Sequence, residues 1–367
     1  MFKKIYKNKK ILITGNTGFK GSWLTAWLIK LGANIIGISK DIPTNPSIFQ
    51  ELKLEDQIRY YKEDVRDLSK MKNIISMEKP DFIFHLAAQP LVLTSYNDPI
   101  ETISSNVMGT ANILESMKNL HNKCTSIIIT SDKAYDNIEQ VKGYKEDDKL
   151  GGKDIYSGSK GAAELIIKSY YYSFLKSNNS NLKIAIARAG NVIGGGDWAK
   201  DRIVVDCMKA WSKGKIAEIR SPNATRPWQH VLEPLSGYLA LGAKVLNDNR
   251  LNGEPFNFGP ESSQDITVKA LLESLAKIWG WKLIDNAIRI NDTKSKFKEA
   301  GLLKLNCKKA KDLINWEPNL NFDETLVYVS DWYKEYFSRH KNVNKLTVGQ
   351  IDQYEKLAID RKRDWIN

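Results

Sequence analysis

The sequence predicts an α/β fold in which a doubly wound parallel sheet carries a smaller C-terminal α/β part. Three observations carry this. Over the first 190 residues, short β-branched runs alternate with amphipathic stretches, the rhythm of parallel strands joined by helical crossovers. The first run, Ile11 to Thr14, opens straight into a glycine-rich turn followed by an apolar helix. After Ala189 the texture changes, with a glycine triplet at Gly194 to Gly196, prolines at 222, 227 and 234 and a higher density of tryptophan.

Strands are expected at Ile11 to Thr14, Asn34 to Ile38, Arg59 to Lys62, Phe82 to Leu86, Ser126 to Thr130 and Lys183 to Ala187. Helices are expected at Lys20 to Leu31, Leu68 to Met77, Pro99 to Leu120 and Tyr156 to Leu175, with a docked terminal helix over Val348 to Ile359. At 367 residues the chain exceeds the roughly 250 to 300 residues of a single core. The expected division is a nucleotide-binding part over 1–190, with return segments at about 231–260, interleaved with a smaller substrate-binding part in 191–367. The cleft should lie between them.

Composition excludes several classes. No window approaches the roughly 18 uninterrupted apolar residues of a membrane span, and the basic start, Met1 to Lys10, is followed by too short an apolar run for an export signal. A net charge of +12 comes from lysines spread along the chain, which suits solvated faces and anionic substrates better than nucleic acid. Cys124, Cys207 and Cys307 stand far apart, with no metal-ligand spacing to the histidines. A reducing cytoplasm without a metal site is the expectation.

Gly15-Asn16-Thr17-Gly18-Phe19-Lys20-Gly21 is a GxxGxxG between a strand and a helix. There glycine lets the backbone approach a pyrophosphate at the positive end of the helix, so all seven residues are candidates for dinucleotide binding in a Rossmann-like fold. The ribose position reads Ser39-Lys40-Asp41. Asp41 suits the ribose of NAD, whereas Ser39 and Lys40 suit the extra phosphate of NADP. Asp64-Val65 stands where an adenine contact or a plain turn carboxylate would fit.

Tyr156 and Lys160 are four apart, on one face of an expected helix. An ammonium one turn away is expected to lower the phenol pKa and make it a base. Ser131 follows the fifth strand, where such sheets present side chains to a ligand. A Ser, Tyr and Lys trio of this kind takes a proton from a sugar hydroxyl while hydride leaves. Asp132 and Lys133 come next, a carboxyl and an amine placed for elimination of water from the oxidised sugar; a salt-linked strand end is the alternative.

These motifs are long enough to name a resemblance. TGNTGFKGSWL at 14–24, FHLAAQPLV at 84–92, NVMGT at 106–110, TSDKAYDN at 130–137, GGKDIYSGSK at 151–160, ARAGNVIGGGDWAKDR at 187–202 and ATRPWQHVLEPLSGYLAL at 224–241 resemble the CDP-glucose 4,6-dehydratases. These belong to the sugar-nucleotide branch of the extended short-chain dehydrogenases. The resemblance implies a retained NAD and a CDP-4-keto-6-deoxyglucose product. It places Leu86, Ala87, Ala88 and Asn106 beside the cofactor, and Gln89, Asn191, Arg202, Arg220, Arg226 and His230 about the substrate. It also implies a homodimer joined through the helices of Pro99 to Leu120 and Tyr156 to Leu175. The chain departs from the family at Leu93-Thr94, where basic residues are usual, which leaves the sugar and the base open. A 4-epimerase, a dehydratase of another nucleotide sugar and an NAD-binding sensor are the rival readings; Asp132 speaks against the first and the intact trio against the last.

Overall fold

The computed structural model describes residues 2–176, 181–219, 221–260, 266–291, 302–338 and 342–366. Seven parallel strands form the main sheet: β1 (Lys10–Thr14), β2 (Asn34–Ile38), β3 (Arg59–Tyr61), β4 (Phe82–His85), β5 (Cys124–Ile129), β6 (Leu182–Ala189) and β7 (Pro255–Phe258). Their order is β7-β6-β5-β4-β1-β2-β3, so the winding direction reverses between β1 and β4. A ligand crevice opens at the carboxyl ends of strands at such a switch point.

The strand sequences explain both faces. In β1, Ile11 and Ile13 point into one core and Leu12 into the other, and in β5, Ile127 and Ile129 oppose Ile128. Side chains alternate along a strand, and a parallel sheet is covered on both faces. The helices include α1 (Phe19–Lys30), α2 (Leu68–Glu78), α3 (Gly109–Met117), α4 (Ile155–Tyr170), α5 (Ile203–Trp211), α6 (Leu232–Val245), α7 (Phe322–Phe337) and α8 (Val343–Asp360). α6 and β7 come back from the later half of the chain, β7 extending the sheet beside β6. α8 docks on α1, where Glu355 accepts from Trp27 Nε1 at 2.7 Å and Lys30 reaches Asp352 at 2.8 Å.

Two expected helices are interrupted. The stretch from Pro99 splits into Pro99–Ile103, a wide π turn at Ser104–Met108, and α3. The widened turn puts Asn106 on the site side, where its amide accepts from Gln89 N at 2.8 Å and donates to Ser159 Oγ at 2.9 Å. Such insertions re-aim one residue at a functional surface. α4 likewise ends in a π turn at Tyr171–Leu175. Among the described residues no helix is long and apolar enough to cross a membrane.

Candidate active site

The site is assembled on the ends of β1, β4, β5 and β6. At β1 the chain turns at Gly15 with φ +73°, and a Cβ there would meet Ala87 N at 2.8 Å. A Cβ on Gly21 would lie 2.1 Å from Gly15 O. Both positions therefore require glycine. No side chain caps α1 at Gly18, so the first backbone N–H groups of the helix remain for an anion. This uncapped glycine cradle fits the diphosphate of a dinucleotide. Thr14 Oγ1 fixes the neighbouring loop, accepting from Ala87 N at 3.1 Å and lying 2.7 Å from His85 Nδ1. With its other nitrogen 3.1 Å from Thr110 Oγ1, His85 is a satisfied residue at a strand end. Leu86, Ala87 and Ala88 follow it, half-buried at the rim.

Several expected contacts turn out to brace the loop. Asn16 is buried and accepts from Ser39 Oγ at 2.8 Å, its amide pressed on Gly37; Thr17 Oγ1 donates to Asp41 O at 2.7 Å. Asp64 gives its carboxylate to Arg66 N at 2.9 Å and to the Arg66 guanidinium at 2.6 Å, as a turn carboxylate does, while Val65 is buried against Gly109. Phe19 points at Gly194. The buried Lys20 amine lies within electrostatic reach of Asp132, Arg202, Lys160 and Asp197. Burial, partly offset by Asp132, lowers its pKa to about 8.

At β5, Ser131 starts a short turn over Asp132–Ala134. Its Oγ donates to Asp132 Oδ1 at 2.9 Å and accepts from Lys133 N at 3.2 Å. Tyr156 lies close enough for the same hydroxyl to act on its phenol. Asp154 caps α4 through Ser157 N at 2.9 Å, which sets Tyr156 in the first turn and Lys160 one turn on. One turn further, Glu164 forms a buried pair with Arg188 of β6 (Nε to Oε1, 2.9 Å) and accepts from Thr130 Oγ1 at 2.6 Å. Arg188 donates to Tyr135 Oη at 2.6 Å, and Tyr135 to Asn257 Oδ1 at 2.8 Å. The network ties α4, β5, β6 and β7 together, and a buried pair of this kind fixes geometry more than it adds stability.

Electrostatics departs from the expectation at one point. Burial pushes the Tyr156 phenol up to about 12, the Ser131 hydrogen bond offsetting part of it. Lys160 is itself lowered to about 8 by burial, with Glu164 pulling it back. The phenol is therefore not lowered as its spacing from Lys160 suggested: desolvation dominates, and the opposing contributions come from Ser131 and Arg202. Asp132 is raised, first by burial, against the opposing charges of Lys133, Lys20 and Arg226. Its Oδ2 is buried with no hydrogen-bond partner among the described residues. A carboxyl of that kind is held toward its neutral form and can act as an acid.

The substrate side is mixed. Asn191 follows β6, and Arg202 starts α5 with its Nε buried and without a partner among the described residues. Arg226 donates to Thr225 O at 2.8 Å and feels Asp132. A planar guanidinium meets phosphate oxygens in pairs. Arg220 lies outside the described residues. Two expectations are corrected. His230 is fully buried between Trp23 and Tyr328, accepts from Leu232 N at 3.3 Å, and is held neutral by burial, its pKa near about 3. It faces the core because apolar rings close over it. Gln89 spends its amide on Leu91 and Thr102 Oγ1, the latter at 2.8 Å, and so shapes its own loop. Trp198 and Trp228 are core residues. Two groups were not singled out from the sequence: Asp197, buried and raised in pKa by desolvation against Arg202 and Lys20, and Tyr238, buried within electrostatic reach of Asp132 and Tyr156. The glycine triplet before Asp197 was the one local signal for the first; Tyr238 sits in an apolar helix and gave none.

The family model described as GDP-mannose 4,6 dehydratase matches residues 12–328. The chain belongs to that family. A CDP-glucose 4,6-dehydratase of Salmonella typhimurium is 43% identical over 335 residues, covering 90% of this chain and 92% of the relative. A CDP-paratose 2-epimerase of Salmonella typhi is 25% identical, covering 88% and 98%. Among solved structures, UDP-glucose 4-epimerase of Thermotoga maritima superposes with a TM-score of 0.77 at 22% identity, covering 90% of this chain and all of that one. The dTDP-glucose 4,6-dehydratase of Bacillus anthracis, in complex with NAD, gives 0.73 at 21% identity, covering 89% and 97%. These two likenesses establish the family fold.

Proposed function

We propose that the protein is an NAD-dependent 4,6-dehydratase that converts CDP-D-glucose to CDP-4-dehydro-6-deoxy-D-glucose and water. The observation that carries this is the buried, neutral-leaning Asp132 beside Ser131 and Tyr156, which adds an acid for elimination to an oxidation site. The 43% relationship to a CDP-glucose 4,6-dehydratase supports the choice of nucleotide and sugar. Bound NAD would supply reversible hydride transfer between C4 and C6. Residues 15–21, with the rim at Leu86 to Ala88 and with Asn106 behind it, hold the cofactor. Lys40 is paired with Glu101 at 2.8 Å, and Arg66 with the same carboxylate. This favours NAD, since the acid occupies the cations that a 2′-phosphate would need.

Tyr156 takes the proton of the C4 hydroxyl, with Ser131 and Lys160 orienting it. The resulting 4-ketone makes the C5 proton acidic; Lys133, which serves as the acceptor only as the free amine, takes it, while Asp132 protonates the departing C6 hydroxyl. Asn191, Arg202 and Arg226 hold the nucleotide diphosphate, in the part of the chain beyond residue 190. Arg226→Ala should accordingly raise KM by at least about tenfold with a smaller loss of kcat, the signature of lost uniform binding; a loss confined to kcat removes the assignment.

The protein works as a cytoplasmic homodimer in this reading. Ile100 (73% exposed), Met108, Leu165, Tyr172 and Phe174 line the outer faces of Pro99–Met117 and Ile155–Leu175, an apolar surface that a second copy would cover. Sedimentation at micromolar concentration should give the dimer mass, and a monomer contradicts it. The function itself is tested by incubating the protein with nucleotide hexoses and following loss of water.

A further inference from the structure

The oxidation groups and the elimination groups stand on different elements. Tyr156 and Lys160 belong to α4, whereas Asp132 and Lys133 belong to the short turn after β5. Both sets have to meet one sugar, so the spacing between helix and turn must be fixed. A single side chain of α4, Glu164, does this from both ends of the turn. Before the turn, Thr130 Oγ1 donates to Glu164 Oε1 at 2.6 Å. After it, Tyr135 Oη accepts from Arg188 Nη1 at 2.6 Å, and Arg188 Nε lies 2.9 and 3.0 Å from the two Glu164 oxygens. We propose that Tyr135 is a positioning residue for the elimination step: the strut Glu164–Arg188–Tyr135 holds the Asp132–Lys133 turn at a set distance from Tyr156. A sugar oxidised at C4 is then already in place to lose its C6 hydroxyl. This rests on the dehydratase reading.

Tyr135 is engaged on every side. Its hydroxyl donates onward to Asn257 Oδ1 at 2.8 Å, its ring stacks on Tyr144 with centroids 4.9 Å apart, and the Arg188 guanidinium carbon lies 4.6 Å from the centre of the same ring. Asn257 is fixed in turn, its amide donating to Tyr144 O at 2.9 Å and to Asn306 O at 3.1 Å. Arg188 Nη1 also donates to Glu146 O at 3.0 Å. Tyr135, Arg188, Glu164 and Asn257 are each at most 2% exposed. A buried polar group that loses its partner bears the full cost of its desolvation, so the strut has one arrangement.

Stability alone does not call for such a network, since apolar side chains of the same volume hold a core at least as well as a buried ion pair. Its placement is what assigns it to the reaction. Glu164 sits one helical turn beyond Lys160 and two beyond Tyr156, and Tyr135 is the residue directly after the Asp132–Ala134 turn. The strut therefore joins the two halves of the chemistry and touches neither the sugar nor the cofactor cradle.

The test is how the reaction divides between its two halves after rapid mixing of holoenzyme with CDP-glucose. Tyr135→Phe removes one hydroxyl and keeps the ring, the Arg188–Glu164 pair and the Thr130 bond. Reduction of the nicotinamide should stay within about twofold of wild type. Release of 6-deoxy product should slow by at least about tenfold, because a displacement of about 1 Å is enough for that, and reduced nicotinamide should accumulate during turnover. Arg188→Lys keeps a cation beside Glu164 but lacks the fork that reaches Tyr135 as well. It should show the same division, and it carries the test if Tyr135→Phe does not fold. Combining the two should add little, since they interrupt one strut. A merely structural role would lower the melting temperature and leave the division between reduction and release at its wild-type value. That result, or a reduction step slowed as much as product release, overturns the proposal and leaves the dehydratase reading intact. If no nucleotide hexose reduces the cofactor of the wild type, it is the dehydratase reading that falls, and the proposal with it.

Discussion

Tyr156→Phe should lower turnover by roughly a hundred- to ten-thousand-fold, the usual contribution of a positioned proton acceptor, and leave cofactor retention unchanged. The two effects separate because they belong to different parts of the fold. Retention rests on the backbone of residues 15–21, where glycines are required and the helix start is uncapped. Proton removal rests on one hydroxyl in the first turn of α4, placed by the Asp154 cap. Phe keeps the ring volume and so the packing beside Ser131. Steady-state assay together with the absorbance of the retained nicotinamide checks both halves. Activity within a fewfold of wild type would remove Tyr156 from the role of base.

Asp132→Asn and Lys133→Ala should each release little 6-deoxy product, a loss of at least about a hundredfold, and yet still reduce the bound nicotinamide when substrate is added. Elimination needs a proton for the C6 hydroxyl and an acceptor for the C5 proton, and Asn can supply no proton. Side by side in water the two groups would both be ionised, the wrong pattern for this chemistry. The structure resolves this on the acid side by burying Asp132, at 3% exposure, while Lys133 is half-exposed. Exchange of the C5 hydrogen in deuterated water should persist in Asp132→Asn and fail in Lys133→Ala. Unimpaired exchange without Lys133 would give the base role to another group.

Much of this was legible in the sequence because it is written in local pattern. The alternation of Ile11, Leu12 and Ile13 between two cores, the glycine cradle and the four-residue spacing of Tyr156 and Lys160 depend on neighbours in sequence. What was not legible depends on contacts across the fold. His230 and Gln89 sit in motifs beside site residues, but their direction is set by Trp23, Tyr328 and Thr102, which pack on them from afar. The π turn at Ser104–Met108 answers to Gln89 and Ser159 rather than to its own residues. The Tyr156 phenol went against expectation because spacing reveals a nearby charge but not the burial that dominates.

The central claim is that this chain dehydrates CDP-glucose, and its most direct measurement is mass spectrometry of the purified protein incubated separately with CDP-, dTDP-, GDP- and UDP-hexoses. The account predicts loss of one water from CDP-glucose, with no net consumption of NAD and far slower change in the others. CDP-glucose returned unchanged or only epimerised, or water lost faster from another nucleotide sugar, would contradict it.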